Sequence, residues 1–170
     1  GRTDRAQANF GLFKEEKYAC GSRVLDVRNY SSLGGGTVIE CAERIHAYME
    51  QNNNFYSLDG GILKATFEES KSTRGTCCAT FVSWVLREAG LINQTSHSAP
   101  GLASLLENTY HWTRVNANQL QAGDVMVYNY GHVEIYAGNG TIYNAGSDNA
   151  IKNAAPSNQY NTPDYGLRAP

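Results

Sequence analysis

Charge is scarce in this chain. Asp, Glu, Lys and Arg make up 18% of its 170 residues, against roughly 25% in an average soluble domain, so other polar groups must keep the surface wet. Asn, Gln, Ser, Thr, Gly and 11 Tyr supply them. Neither sign of charge dominates, since 14 basic and 16 acidic side chains leave a net charge of -2. No run of Lys or Arg is present to neutralise a phosphate backbone, which argues against a nucleic-acid partner. Long apolar runs are also missing. No segment approaches the about 18 residues of a membrane span, so no membrane insertion is expected. The start, Gly1-Arg2-Thr3-Asp4, has no apolar signal segment, which leaves open a leader or neighbouring domain removed upstream. Four cysteines are too few for a disulfide scaffold. They also lack zinc-site spacing, because Cys77 and Cys78 are adjacent and Cys20 and Cys41 stand alone.

The length suits one domain with room for an extension. The first 36 residues are weakly patterned and end in Tyr30-Ser31-Ser32-Leu33-Gly34-Gly35-Gly36, a run whose backbone freedom marks a joint. Residues 1–36 are therefore expected to be an N-terminal extension or linker, and residues 37–170 the domain. From Thr37 to about Asn52, Val38, Ile39, Ala42, Ile45 and Met49 recur at helical spacing, with Thr37 as N-cap and Glu40 three residues on. Asp59-Gly60-Gly61 predicts a turn, and residues 62–76 are polar, with room for a short helical piece around Phe67 to Ser70. A second helix is predicted from Cys78 to about Ala89, with Phe81, Val82, Val85, Leu86 and Ala89 on one face and Gly90 as its stop. A third runs from Ser98 to Asn108, opened near Pro100, with Leu102, Leu105 and Leu106 inward. Beyond Gln119 the period becomes strand-like. Val125 to Tyr128, His132 to Ala137 and Thr141 to Ala145 are separated by Asn129-Tyr130-Gly131 and Gly138-Asn139-Gly140. Helices followed by a strand meander give an α+β fold, with the helices packed on a small antiparallel sheet or half-barrel.

The chain's nucleophile inventory is its four thiols, and its bases are His46, His97, His111 and His132. A helix N-terminus stabilises a thiolate through unpaired N–H groups and the helix dipole. Cys77 and Cys78 alone stand at such a start. Cys41 falls mid-helix, as a small core or rim residue, and Cys20 lies in a segment with no clear pattern. Cys78 shares the stripe of Val82, Val85 and Ala89, whereas Cys77 points elsewhere, so Cys78 is the candidate nucleophile. The competing reading is that Cys78 is an inert first core residue, since buried free cysteines are common. His132 opens a strand on which His132, Glu134 and Tyr136 share one face and Val133, Ile135 and Ala137 the other, the aliphatic side facing core and the histidine a polar side. His46 reads as a helix-rim residue, His111 as a loop residue beside Trp112, and His97 lies in a Ser-rich loop. The third candidate is Asn144. A three-residue loop Gly138-Asn139-Gly140 with Gly140 in a left-handed bulge position sets Ala137 opposite Thr141 and Glu134 opposite Asn144, on the His132 face, whereas a two-residue loop puts Asn144 on the other face.

Three blocks in this order, Thr76-Cys77-Cys78-Ala79-Thr80-Phe81-Val82-Ser83-Trp84-Val85-Leu86, Leu120-Gln121-Ala122-Gly123-Asp124-Val125-Met126-Val127-Tyr128 and His132-Val133-Glu134-Ile135-Tyr136-Ala137-Gly138-Asn139-Gly140, resemble the NlpC-type cell-wall cysteine peptidases, papain-like relatives of the CHAP amidases and peptidases. The resemblance runs from about Thr37 to Pro170. Carried over by position, it implies Cys78 as nucleophile, His132 as base and Asn144 as third polar residue. The chain departs from the family at Cys77, where Asp is usual, at Asn144, most often His, and at Glu134, usually Gly. That last change puts an extra carboxylate beside the imidazole, which is expected to raise its pKa. Tyr56, ahead of Gly60-Gly61, loosely matches the family's Tyr near the oxyanion site, and Tyr56 and Glu134 are carried as oxyanion or substrate residues.

The resemblance implies acyl transfer to a thiolate with no metal or cofactor, acting on a peptidoglycan stem or cross-bridge peptide. The alternatives are N-acetylmuramoyl-L-alanine amidase cleavage at the same site, a non-catalytic cell-wall-binding module, and a thiol acyltransferase using the same triad. A monomeric domain, alone or within a longer polypeptide, is expected in a secreted, cell-wall-associated or phage-borne setting.

Overall fold

The computed structural model describes residues 23–25, 35–51, 54–57, 62–64, 78–96, 98–144, 156–158 and 162–170. Among them are helices α1 (Val38–Gln51), α2 (Cys78–Glu88) and α3 (Ala99–Asn108). Strands β1 (Arg23–Leu25), β2 (Asn54–Ser57) and β3 (Ile62–Lys64) form a small antiparallel sheet in that order. One strand from the first 36 residues thus pairs with one from beyond Gly36, Val24 opposite Tyr56. Ile62–Lys64, which sequence pattern left unassigned, is a strand because it finds a partner in β2. The expected turn at Asp59-Gly60-Gly61 and the helical piece at Phe67 to Ser70 lie outside the described residues.

A larger antiparallel sheet contains β4 (Thr113–Val115), β5 (Val125–Tyr128), β6 (His132–Gly138), β7 (Thr141–Tyr143), β8 (Pro156–Asn158) and β9 (Tyr165–Arg168), in the order β4-β9-β5-β6-β7-β8. Together with the three helices it makes the α+β fold expected from the sequence.

Helix starts and stops follow local chemistry. At α1 the Glu40 N–H donates to Thr37 Oγ1 at 3.1 Å and the Thr37 N–H donates to Glu40 Oε1 at 3.3 Å, a reciprocal capping box. At α3, Ser98 Oγ accepts from the Gly101 N–H, with Pro100 in the first turn. At the end of α2, Gly90 takes φ +77°, and the N–H groups of Gly90 and Leu91 return to the carbonyls of Arg87 and Leu86 at 2.9 Å each. This is a Schellman closure that a Cβ would strain.

α2 differs from its predicted amphipathic character, because every residue from Cys78 to Glu88 is buried. It lies between α1, α3 and β6, so its polar side chains need internal partners. Ser83 Oγ donates to the Ser96 carbonyl at 3.2 Å and accepts from the Ser96 N–H. Arg87 donates to Thr95 Oγ1 at 2.7 Å. Glu88 pairs with Arg44 of α1 at 3.4 Å, and its carbonyl accepts from the Gly35 N–H.

The main core joins Phe81, Val82, Trp84 and Val85 of α2 to Val125, Val127, Val133, Ile135, Tyr143 and Leu167 of the sheet. The other face of the sheet is not the polar side the strand pattern suggested. Met126, Tyr128 and Ile142 form a second buried cluster there, with Leu120 and Tyr136 packed against it.

The start of β5 is tied down by Asp124, which is 3% exposed. Its carboxylate accepts from the Gln121 N–H at 2.7 Å and from Arg168 Nε and a terminal guanidinium nitrogen at 3.0 and 2.8 Å, joining β5 to β9. Asp124→Ala removes three charge-assisted bonds while Arg168 can still reach water, so a loss of about 2 kcal/mol is expected. Urea denaturation of the two proteins measures it, and an unchanged midpoint would contradict the role given to Asp124.

Candidate active site

Cys78 is the first residue of α2, where the helix N–H groups have no intrahelical partner, and it is 7% exposed. His132 is the first residue of β6, opposite Tyr128 of β5 across the three-residue turn Asn129-Tyr130-Gly131. Gly131 there takes φ +106° and donates to the Tyr128 carbonyl at 3.0 Å. The turn is held from β9's approach by Asp164, whose carboxylate accepts from the Asn129 N–H at 2.7 Å and whose N–H donates to the Val127 carbonyl.

The thiol and the imidazole meet through backbone geometry. In β6 the Tyr136 N–H points to β5 and donates to the Asp124 carbonyl, so the alternate residues Ile135 and Val133 direct theirs to the β7 side. β7, however, ends at Tyr143, opposite Ile135. The Val133 N–H lies beyond that end, and the Cys78 sulfur accepts it. The same sulfur shares a hydrogen bond with the His132 side chain. Among the described residues, Cys78 thus takes the donor left at the end of the β6–β7 ladder, with its helix dipole behind it.

The electrostatics follow from these contacts. Burial opposes ionisation of Cys78, but hydrogen bonds from His132 and the Val133 N–H, the imidazolium charge and the Ala79 N–H outweigh it and bring the thiol below its ordinary value. Burial likewise opposes a charged His132, yet the hydrogen bond with Cys78, the contact with Glu134 and the negative charge of both push its pKa up to about 9. Both shifts run toward a thiolate–imidazolium pair.

Glu134 lies two residues along the same face of β6, 6% exposed, with Oε2 3.6 Å from His132 Nε2. Asn144 follows the last residue of β7. The hairpin differs in detail from expectation: its loop is the two residues Asn139 and Gly140, at φ 53° and 71°, and Gly138 rather than Ala137 stands opposite Thr141. A bulge at Ala137 restores the register, leaving Tyr136 opposite Ile142 and Ile135 opposite Tyr143. One further step places Asn144 beside Glu134. Among the described residues no hydrogen bond joins Asn144 to His132. Tyr56 belongs to β2, but its side chain, like Cys77 and His97, lies outside the described residues.

The other candidates separate from the site. Cys41 is fully buried in α1, its S–H donating to the Gly35 carbonyl, and burial pushes its pKa up to about 11 despite the adjacent Arg44. His46 rests near the Tyr143 ring, centroids 6.1 Å apart, and His111 is exposed in a left-handed loop conformation. Two aromatic residues that the sequence reading passed over belong to the site. The Tyr130 ring stacks parallel to the His132 ring at 6.2 Å while remaining 74% exposed, and the Tyr128 ring lies 5.7 Å from the same imidazole. Burial and the negative charges of Glu134 and Cys78 raise the Tyr130 phenol above its usual value. The available signal was positional: Tyr128 is the cross-turn partner of His132, and Tyr130 sits at the turn's centre. Among the described residues no three His, Cys, Asp or Glu side chains come together to hold a metal ion.

A strand-borne imidazole paired with a thiol at a helix N-terminus is the equipment of thiol-dependent acyl chemistry. The sequence model of the NlpC/P60 family matches residues 60–167, and the chain belongs to that family. No curated protein matches it. Among solved structures it is similar to the resuscitation promoting factor interacting protein RipA, mutated at a histidine (16% identity, TM-score 0.44) or at a cysteine (17%, TM-score 0.44). Both matches cover 99% of this chain and 65% of the other. It is also similar to the peptidoglycan hydrolase RipB from Mycobacterium tuberculosis, at 14% identity and TM-score 0.41, covering 99% of this chain and 67% of that one. The chain therefore spans 65% of the length of the RipA structures.

The contrast between the two described thiols is directly testable. At pH 7, iodoacetamide is expected to modify Cys78 and spare Cys41, with a labelling midpoint for Cys78 below that of a free thiol. Peptide mapping by mass spectrometry after timed labelling reads this out, and equal labelling of both would contradict the difference in environment.

Proposed function

We propose that this domain hydrolyses an amide bond of peptidoglycan, in the stem or cross-bridge peptide, with Cys78 as nucleophile and His132 as general acid and base. The observation that carries the reading is the hydrogen-bonded thiol–imidazole pair at the N-terminus of α2. The substrate class rests on membership of the NlpC/P60 family.

In the reaction the Cys78 thiolate adds to the scissile carbonyl, and the His132 imidazolium gives its proton to the leaving amine as the C–N bond breaks. The acyl group remains on sulfur as a thioester. Neutral His132 then takes a proton from water as that water's oxygen attacks the thioester, releasing the carboxylic acid and restoring the pair. We assign the backbone N–H of Cys78, at the positive end of α2, as a donor to the oxygen on which negative charge develops. Asn144 is the position at which the family's third polar residue falls, and Tyr56 the residue matched to its oxyanion tyrosine. The site fits a secreted or wall-associated domain acting on an external polymer.

Cys78→Ala is expected to abolish release of soluble fragments from purified peptidoglycan, whereas Cys77→Ala keeps activity within a few-fold. Equal loss in both variants, or an active Cys78→Ala protein, would remove the assignment. Mass spectrometry of the fragments separates the bonds: new amino termini within the stem mark a peptidase, and a freed lactyl carboxyl with an L-alanine amino terminus marks an amidase. Binding to the wall without fragments marks a binding module. The rate is also expected to follow a bell in pH. Its acid limb reflects protonation of Cys78, below the ordinary thiol range, and its alkaline limb reflects loss of the His132 proton near about 9. A rate still climbing above that limb would contradict an imidazolium acid.

A further inference from the structure

We propose that Glu134 is the positioning residue for His132, completing a Cys78–His132–Glu134 relay within one strand and one helix end, a role that the family resemblance assigned to Asn144. The inference rests on the reading of Cys78 and His132 given above.

Glu134 is 6% exposed and stands opposite Met126 of β5, which is fully buried. Its sheet face is the one occupied by Met126, Tyr128, Ile142 and Tyr136. An acidic side chain in such surroundings needs a cation, and among the described residues the one in ion-pair range is His132, at 3.6 Å. The pair is made by i, i+2 spacing on one strand face, so the rigid backbone of β6 holds both ends.

The imidazole is held from two sides: Nε2 faces Glu134, and the ring shares a hydrogen bond with the Cys78 sulfur. A neighbouring carboxylate holds the ring in that orientation and stabilises its protonated form. The other groups facing His132 are Cys78 from α2, Tyr128 from β5 and Tyr130 from the turn. Of these Cys78 is the reacting partner, and the two tyrosines offer ring contacts. Asn144 is neutral and makes no hydrogen bond to His132 among the described residues, so it supplies no comparable hold.

The test separates this role from catalysis itself. In the full chain carrying Cys78→Ala, the imidazole of His132 is titrated by NMR with and without Glu134→Gln. The midpoint is expected to fall by about one pH unit when the carboxylate is removed, and to move little with Asn144→Ala. This readout stands even if Cys78 proves not to be the nucleophile, so failure of the reaction scheme and failure of the positioning role appear in different experiments.

In the protein with Cys78 intact, Glu134→Gln is expected to lower kcat about 10- to 100-fold with little change in KM. The alkaline limb of the pH profile should shift to lower pH, and Glu134→Asp should recover part of both. An unmoved His132 midpoint and alkaline limb in Glu134→Gln would overturn the proposal, as would an Asn144→Ala effect of equal size on both. Should Glu134→Gln not fold, Glu134→Asp decides: a partial fall of the His132 midpoint as the shorter carboxylate recedes supports the carboxylate's role, and an unmoved midpoint overturns it.

Discussion

The site depends on one backbone donor at the end of a strand ladder. β6 runs seven residues and β7 only three, so among the described residues the edge of β6 nearest the turn has no strand beside it. An N–H left there would have to find water or a side chain. The Cys78 sulfur takes the Val133 N–H, which fixes the thiol against the strand that carries His132. The contact is productive because the sulfur is brought to the imidazole by the sheet's own hydrogen-bond alternation rather than by a flexible loop. The complete burial of α2 then prevents the helix from drifting away, since any shift would expose Phe81, Val82 or Trp84 and break the polar ties through Ser83, Arg87 and Glu88.

Cys41 is an internal comparison that isolates what the site adds. Both thiols are buried on helices, and both touch a cationic side chain, Arg44 in one case and His132 in the other. Yet Cys41 goes up and Cys78 goes down. For Cys41 burial dominates, and the carboxylates of Glu88 and Glu40 add to it against the single favourable contact from Arg44. Cys78 has two backbone donors as well as the imidazole, and sits at the electropositive end of its helix instead of the middle. Position along the helix, rather than depth in the protein, separates a structural thiol from one prepared to ionise.

Much of this was legible in the sequence, for reasons that can be named. The three helices announced themselves through period and caps: Thr37 with Glu40, Ser98 with Pro100, and Gly90 in the left-handed region. β5, β6 and β7 were legible because Gly and Asn punctuate the alternation. β9 was not. Tyr165-Gly166-Leu167-Arg168 contains a glycine that weakens any local strand signal, and its reason is tertiary: a Cβ at Gly166 would lie 2.5 Å from Leu120 Cδ2 and 2.9 Å from Val115 Cγ2. Only a strand lacking a side chain there can slide between β4 and β5. The second cluster under Met126, Tyr128 and Ile142 was hidden for a related cause, since residues buried on both faces of a sheet break the simple alternation from which a polar side is inferred. At the site, helix phase separated Cys78 from Cys77 and strand phase chose the His132 face, but the aromatic flanks depended on a turn geometry that composition does not encode.

The hairpin beyond His132 shows why a correct face can come from an incorrect loop. Side chains alternate with period two, so a change of one residue in the loop should send Asn144 to the other face. The actual loop is one residue shorter than expected, and by itself would do that. The bulge at Ala137 inserts the compensating residue into β6, and the two changes cancel in phase by the time the pairing reaches Ile135 and Tyr143. Face is therefore conserved by the sum of loop and bulge, not by either alone. The same sum aligns Glu134 with Asn144, while the carboxylate, on the continuous strand, lies 3.6 Å from the imidazole. A strand that carries both imidazole and carboxylate needs only its own extended backbone to hold them in step, whereas a partner delivered by the hairpin depends on the turn, the bulge and the strand end all keeping register.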